Sequence, residues 1–495
     1  MLNSSVYAKW RDSGLFPYFI YVLCFFVPLF GLHSEFWDGA IIDYAHSIGQ
    51  YEGLKTWFFE SGWVFQYFQV RILFFISDLT SMSYTTVNHL ALFCFGLLLL
   101  HETYLFAINI FKLDKRNASS VILLLAIFPV WSVLTSSVLT FHFICLSLAF
   151  WSIRIIRSHS KLWKVPAWIF VLIVFNFNSL MVFLPILSYV YDLRSKKAKR
   201  NYLPGLITII LFGIAIIEML IYKVYFPHTG IYEGYNAVKT GFKLHDIYMM
   251  LINAFRFHSY LIIPVLFFVF SFKKVVFNES KKDLLLLLIL FWAGIFPYVM
   301  VGKSSTLFSY ANWDHRQAFL IAPVIALFLG KIIQSRMNDT ARIFLLLKPA
   351  TVLFFLTLLF LGYALRYNRL IFEKDLANAL KPVESEIKAG RLELICTEVP
   401  LPEYRIYEAN YFMYRHFSRS DTWTSIDTQL KKDFTVPELI RSNPSYQKNY
   451  IYTSSDSADH KQIHLTCTGY QGLADVLKNV LGLEHEKGIR IVSNN

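Results

Sequence analysis

Of the 495 residues, 55% are hydrophobic and 18% aromatic, while only 16% are charged, against roughly 25% in ordinary soluble domains. That balance excludes a disordered chain, a collagen-like chain, a small disulfide scaffold and a soluble enzyme built on one packed core; it predicts an α-helical polytopic membrane protein. The net charge of +13 lies wholly in residues 1–365, which carry 30 Lys/Arg against 17 Asp/Glu, whereas residues 366–495 carry 17 of each. The basic excess therefore reads as topology signals in short loops, and no nucleic-acid partner is expected.

Apolar stretches occur near 15–32, 84–111, 119–138, 139–153, 165–175, 180–191, 203–226, 259–272, 284–301, 316–333 and 343–363, giving about 11 spans. Several are shorter than the roughly 20 residues of a full span. The first run is long and lacks a small-residue cleavage site, so it reads as a signal anchor. Of the 30 basic residues in 1–365, 21 fall in one alternating set of loops, from Lys9 and Arg11 through Arg154, Arg157 and Arg194–Arg200 to Lys331, Arg336 and Arg342. That set is expected to be cytoplasmic, which puts the N-terminus inside and the polar tail outside. Asn-x-Ser/Thr sequons begin at Asn3, Asn117, Asn278 and Asn338, all on the expected cytoplasmic side. Their absence outside favours a bacterial inner (plasma) membrane.

The segment after the first span, 33–69, holds Glu35, Asp38, Asp43, Glu52 and Glu60 against a single Lys55. Its first acids alternate with Phe36, Trp37, Ile41, Ile42 and Tyr44, and Trp57 to Phe68 add a dense aromatic run. A solvated loop needs neither feature. The aromatics suit a helix in the headgroup layer, and a partly buried carboxylate beneath it can act as a general base beside a lipid-borne substrate. Farther along, Glu218 and Lys223 fall inside an apolar run, where ionisable groups are costly. The loop 227–250 offers His228, Tyr232 and Glu233 as contacts for an acceptor. Lys303 and Arg316 fall at the outer ends of two late spans, at the depth of a lipid phosphate; an arginine fork fits phosphate oxygens. Arg316 can equally anchor at the interface or pair with Asp314.

Composition changes near 366, and the last 130 residues are expected to form a small α/β or α+β extracytoplasmic domain, with strands at 391–399, 449–453 and 463–468 and a helix at 472–482. Cys24, Cys94 and Cys145 lie in spans. Cys396 and Cys467 are the one pair in the tail, in a compartment that permits a disulfide. No Gly-rich phosphate loop and no paired-His or Cys/His metal motif occurs.

An outer loop that opens with acidic residues directly after span one and runs into interfacial helices resembles the GT-C glycosyltransferase superfamily. So do the short paired spans in VPAWIFVLIVFNFNSLMVFLPILSYVYDL (165–193) and the arginine ahead of a proline-containing apolar run in FSYANWDHRQAFLIAPVIALFLG (308–330). The resemblance covers 1–365 as a transmembrane domain with a catalytic first outer loop (33–69), followed by 366–495 as a soluble domain. It implies transfer of a hexosyl or pentosyl group from a polyprenyl-phosphate donor to a glycan, lipid or protein acceptor outside the membrane, as in polysaccharide biosynthesis. By position Asp38 is the first choice for the catalytic carboxylate, with Asp43 and Glu35 behind it. The adjacent acidic pair frequent in the family is absent, since Gly39 follows Asp38, so all three stay open. Arg316 and Lys303 would hold the donor phosphate. A divalent cation, magnesium or manganese, could assist, with no residue assigned to it. Two other readings stand beside this one: a surface-polysaccharide polymerase or ligase, and a polytopic transporter or flippase. The first tends to use arginines in large central outer loops, and the second midplane sites in two related halves; neither is visible.

Overall fold

In the computed structural model, the residues described are 15–32, 34–47, 49, 51–158, 161–194, 203–228, 244–269, 281–309, 313–334, 344–388, 392–396, 406–418, 424–426 and 461–493. The membrane part runs α1 (Phe16–Gly31), α2 (Asp38–Ser47), α3 (Tyr51–Glu60), α4 (Val64–Thr80), α5 (Tyr84–Asn109), α6 (Lys115–Ala126), α7 (Ser137–Ile156), α8 (Lys164–Phe175), α9 (Leu180–Arg194), α10 (Leu203–Tyr225), α11 (Leu244–Val269), α12 (Lys281–Met300), α13 (Ala322–Gln334) and α14 (Phe344–Leu380). Among the described residues, six helices are long and apolar enough to cross a membrane: those at 84–109, 137–156, 205–225, 244–266, 281–300 and 350–388. Apolar helices at 16–31, 164–175 and 322–334 are shorter. The chain is a multi-pass helical membrane protein, and the expected 11 full spans are not reached by this measure.

Two expected spans change shape. The run 119–138 breaks after Ala126 into a 3-10 turn at Pro129–Ser132, where Pro129 lacks an amide hydrogen to continue the ladder. The last run does not stop at 363. α14 carries on to Leu380, straight through the composition change at 366, because Arg366–Leu380 contains no Gly or Pro and its apolar residues find a second core. Local signals set other ends: Ser83 accepts from the Thr86 amide at 3.2 Å to cap α5, and Asp114 accepts from the Asn117 amide at 2.8 Å to cap α6.

The core of the bundle is aromatic. Trp131 packs against Phe25 (ring centroids 5.8 Å apart) and Phe143 (4.9 Å). The expectation that the aromatics of 54–69 lie in the headgroups is corrected in part. Trp57 and Phe58 of α3 are buried in the protein, and the apolar side left open belongs to α4: Phe68, Ile72, Phe75 and Leu79 recur at helical spacing and are all exposed.

At the end of the bundle that carries the basic loops, several cations are ion-paired inside the protein. Arg154 makes a two-point contact with Glu102 (2.6 and 2.7 Å). Arg157 does the same with Asp192 (2.6 and 2.8 Å) and reaches Ser188. Buried Asp283 bridges Arg194 and Lys331, and Lys331 also donates to the Phe111 carbonyl at 2.9 Å. These residues carry the topology signal and also tie α5 to α7, α7 to α9, and α9 to α12 and α13.

In the tail, α15 (Glu384–Lys388), α16 (Ile406–Phe417) and α17 (Leu473–Leu481) accompany β1 (Leu392–Cys396), β2 (Thr424–Ile426), β3 (Lys461–Thr468) and β4 (Gly488–Ser493). The sheet order is β2-β1-β3-β4, with β1 parallel to β2 and β3, and β3 antiparallel to β4. The two expected strands at 391–399 and 463–468 and the helix at 472–482 are present; the strand expected at 449–453 lies outside the described residues. The register pairs Cys396 with Leu465, so Cys467 is two residues farther along the neighbouring strand on the same face. A small core joins Phe372, Leu376 and Leu380 of α14 to Phe412, Met413 and Phe417 of α16.

Candidate active site

The segment between α1 and α2 folds over the first turn of α7. A helix N-terminus presents amide hydrogens without intrahelical partners, and here loop one supplies the acceptors. The Ser137 amide donates to Glu35 Oε2 at 3.0 Å, and Ser136 Oγ donates to the Phe36 carbonyl at 2.9 Å. Glu35 is 2% exposed, and its Oε1 makes no hydrogen bond. Burial pushes its carboxyl up to about 8, the Ser137 amide opposing and the nearby Asp43 charge adding. Gly39 leaves room for this arrangement: a Cβ there would collide with Glu35 Oε2 and stand 2.6 Å from Ser136 Oγ.

Trp37 adopts a left-handed backbone, φ 53°, which is rare for a bulky side chain. Its surroundings hold it there. The Trp37 amide donates to Glu408 Oε1 of α16 at 2.8 Å, and Glu408 is ion-paired with Arg369. The guanidinium of buried Arg366 lies 4.0 Å from the Trp37 ring and 4.9 Å from Phe36. Strain of about 1–3 kcal/mol fixed by so many contacts is characteristic of a working site.

Asp38 is the first residue of α2, half-buried, where a carboxylate suits the helix dipole. Asp43, also half-buried, accepts a hydrogen bond from the Tyr411 hydroxyl of α16. Burial raises the Asp43 carboxyl, and Tyr411, Arg415, His46 and Thr85 each pull it back toward the ionised form. His46, one turn on, stacks on Phe74 (4.2 Å), with Nδ1 3.2 Å from the Tyr51 hydroxyl and Nε2 3.4 Å from Asp78.

The second cluster belongs to the connection between α12 and α13. Burial, with the charge of Arg316 adding, pushes the Lys303 ammonium down to about 8, Asp314 opposing. Arg316 also lies 3.7 Å from Asp314, so the alternative pairing exists, with an aspartate that is largely exposed. Next to it His315 is fully buried, its Nδ1 2.6 Å from the Tyr260 hydroxyl, which in turn meets Ser305 at 2.7 Å. An aromatic side chain of α7 reaches from the first cluster toward the second. Glu35 sits on Ser137, and five residues on, about 7.5 Å of helix rise, the His142 ring stacks on Trp63 at 5.1 Å and touches Phe319 at 5.8 Å, just past the turn that carries Arg316.

Of the expected acceptor contacts, His228 is at the loop-one turn: a Cβ on Gly62, whose φ is +74°, would lie 3.3 Å from its ring. Tyr232 and Glu233 lie outside the described residues. Glu218 is half-buried on α10 and Lys223 exposed. Sequence reading missed Arg366, Arg369, Glu373, Tyr411 and Arg415. The signal was present as a charged stretch, RYNRLIFEKD, continuing a helix without a breaker, and as Glu408, Tyr411 and Arg415 at helical spacing in a segment assigned to no element. Among the described residues, no group of three or more His, Cys, Asp or Glu is placed to hold a metal ion.

Fold and site together define a multi-pass helical membrane protein with one buried and two half-buried carboxylates in the first loop and two cations, Lys303 and Arg316, in the connection between α12 and α13. No family model and no curated protein matches the chain. Among solved structures, the crystal structure of ArnT from Cupriavidus metallidurans bound to undecaprenyl phosphate is similar at 9% identity and a TM-score of 0.42, covering 97% of each chain. A likeness at that level carries no assignment of function.

Proposed function

We propose that the protein is a GT-C-type membrane glycosyltransferase that moves a sugar from a polyprenyl-phosphate donor to a glycan, lipid or protein acceptor on the outer face of the membrane. The observation that supports this reading is Glu35 seated on the first turn of α7, with His142 of the next turn against Phe319, three residues past Arg316, whose charge Lys303 feels. Glycosyl transfer from a phosphate needs both: a proton acceptor for the incoming hydroxyl and cations for the departing phosphate. In a single displacement the acceptor oxygen bonds the anomeric carbon and gives its proton to a loop-one carboxylate. The bond from that carbon to the phosphate oxygen breaks, and the electron pair leaves with the phosphate, toward Arg316 and Lys303. The outcome is inversion. The exposed apolar side of α4 supports a lipid-borne donor, since it offers the bilayer a surface next to loop one.

The test is turnover of polyprenyl-phosphate sugars, a panel of hexoses and pentoses, by purified protein, with acceptor supplied as native membranes lacking it. Asp38→Asn and Asp43→Asn each keep size and hydrogen bonding. The one that is the base should lower transfer by about 10²-fold or more. Arg316→Ala should chiefly weaken donor binding, seen as a raised KM. Full activity in both aspartate variants and in Glu35→Gln would sink the mechanism.

A further inference from the structure

Helix α16 belongs to the tail by sequence, yet its two sides do different things. Phe412, Met413 and Phe417 enter the tail core with Phe372, Leu376 and Leu380. Glu408, Tyr411 and Arg415, spaced by three and four residues, share the other side. They address loop one and α14: Glu408 takes the Trp37 amide and Arg369, the Tyr411 hydroxyl donates to Asp43 Oδ2, and Arg415 reaches Glu373 at 3.6 Å while its guanidinium lies 5.5 Å from the Tyr411 ring. A helix that merely docked would bury an apolar stripe. This one buries a glutamate and a tyrosine hydroxyl against the site, at 2% exposure each.

We propose that Tyr411, with Arg415 behind it, is a positioning residue that makes Asp43 the proton acceptor of the site, so that the tail supplies part of the catalytic apparatus. This rests on the transferase reading above and narrows it.

The groups facing Asp43 come from every element packed around it: Glu35 from loop one, His46 on its own helix, Tyr84 and Thr85 from α5, and Tyr411 and Arg415 from α16. Burial pushes the Glu35 carboxyl up to about 8 against the opposing Ser137 contact, which favours its protonated form at neutral pH. Asp43 sees a hydroxyl donor and a guanidinium, which favour its charged form against burial. Burial raises both carboxyls; what differs is that Asp43 alone has a tyrosine hydroxyl and a guanidinium opposing that rise. Tyr411 engages Oδ2 and holds the carboxylate in place: the acceptor hydroxyl gives its proton to Asp43, its oxygen bonds the anomeric carbon, and the phosphate leaves with the electron pair. At 100° per residue Asp38 lies about 140° around the helix from Asp43.

The test uses the full chain in lipid nanodiscs. Tyr411→Phe keeps the ring and removes only the hydroxyl. Infrared titration, with Asp43→Asn to assign the carboxyl band, should show the Asp43 midpoint rising by about one pH unit in Tyr411→Phe, because a bond to the ionised form has been lost. The acid limb of kcat/KM for polyprenyl-phosphate sugar should move up by the same amount, with donor KM unchanged. Arg415→Gln should shift both in the same direction and Arg415→Lys should restore them; a merely structural role would move neither. Transfer with an unmoved midpoint and acid limb in Tyr411→Phe would overturn the proposal alone. An Asp43→Asn variant that keeps full transfer would do the same. An infrared shift in a protein that turns over no polyprenyl-phosphate sugar would overturn the transferase reading and the proposal together.

Discussion

Glu35 shows how one residue becomes a pH-sensitive element. Unfolded, its carboxyl titrates near 4.5; folded, it is pushed up to about 8. Between those values the folded state holds more protons than the unfolded one, so stability falls as pH rises through this window and levels off above it. Glu35→Gln is neutral throughout. Relative to the unsubstituted chain, its unfolding temperature in detergent is expected to improve steadily from about pH 5 to about pH 8; parallel curves would contradict the assignment. Gly39 is the second sensitive residue. Gly39→Ala should gain helix propensity yet lose about 1–3 kcal/mol through overpacking, because the new Cβ meets Glu35 Oε2 and Ser136 Oγ. It should also lower transfer by displacing Glu35 from the Ser137 amide. Sequence reading did single out Glu35, Asp38 and Asp43, since acids among aromatics directly after a span are visible as a pattern. It ranked them by position alone, because what distinguishes them is Ser137 and Tyr411, residues 102 and 368 positions away.

Among elements, α14 is the one whose role the sequence obscured. Its first half is apolar and ends where the hydropathy ends, while the same helix runs on for another four turns bearing Arg366, Arg369 and Glu373 over loop one. A composition change marks a change of solvent, from lipid to water, and a helix can pass through it uninterrupted. The opposite end of the bundle shows a similar double use. Asp283 is 4% exposed between Arg194 and Lys331. Removing it in Asp283→Ala leaves two cations facing each other, one of them well covered, so the expected loss is about 3 kcal/mol, at the low end for a broken buried pair because Arg194 is partly exposed. Thermal unfolding checks this, and a loss within about 0.5 kcal/mol of zero, as for surface changes, would show that these pairs contribute only topology.

At the scale of the whole molecule, the loop charges predict an orientation. A reporter active only outside the membrane should work when fused after residue 495 and fail after Lys199. The reverse result would put the carboxylate site on the cytoplasmic side and remove a polyprenyl-phosphate donor on the outer face. The sequence by itself determined the helical class, most helix positions, two of the tail strands, expected at 391–399 and 463–468, and the loop whose acids make up the candidate site. Those features follow from runs and periodicities that neighbouring residues carry among themselves. Only the tertiary structure decided that the tail helix α16 reaches into loop one, that α14 covers it, and that Glu35 sits on the first turn of α7. Such contacts are made between elements hundreds of residues apart, and their energy comes from desolvation and charge pairing at a place that exists only once the helices have packed.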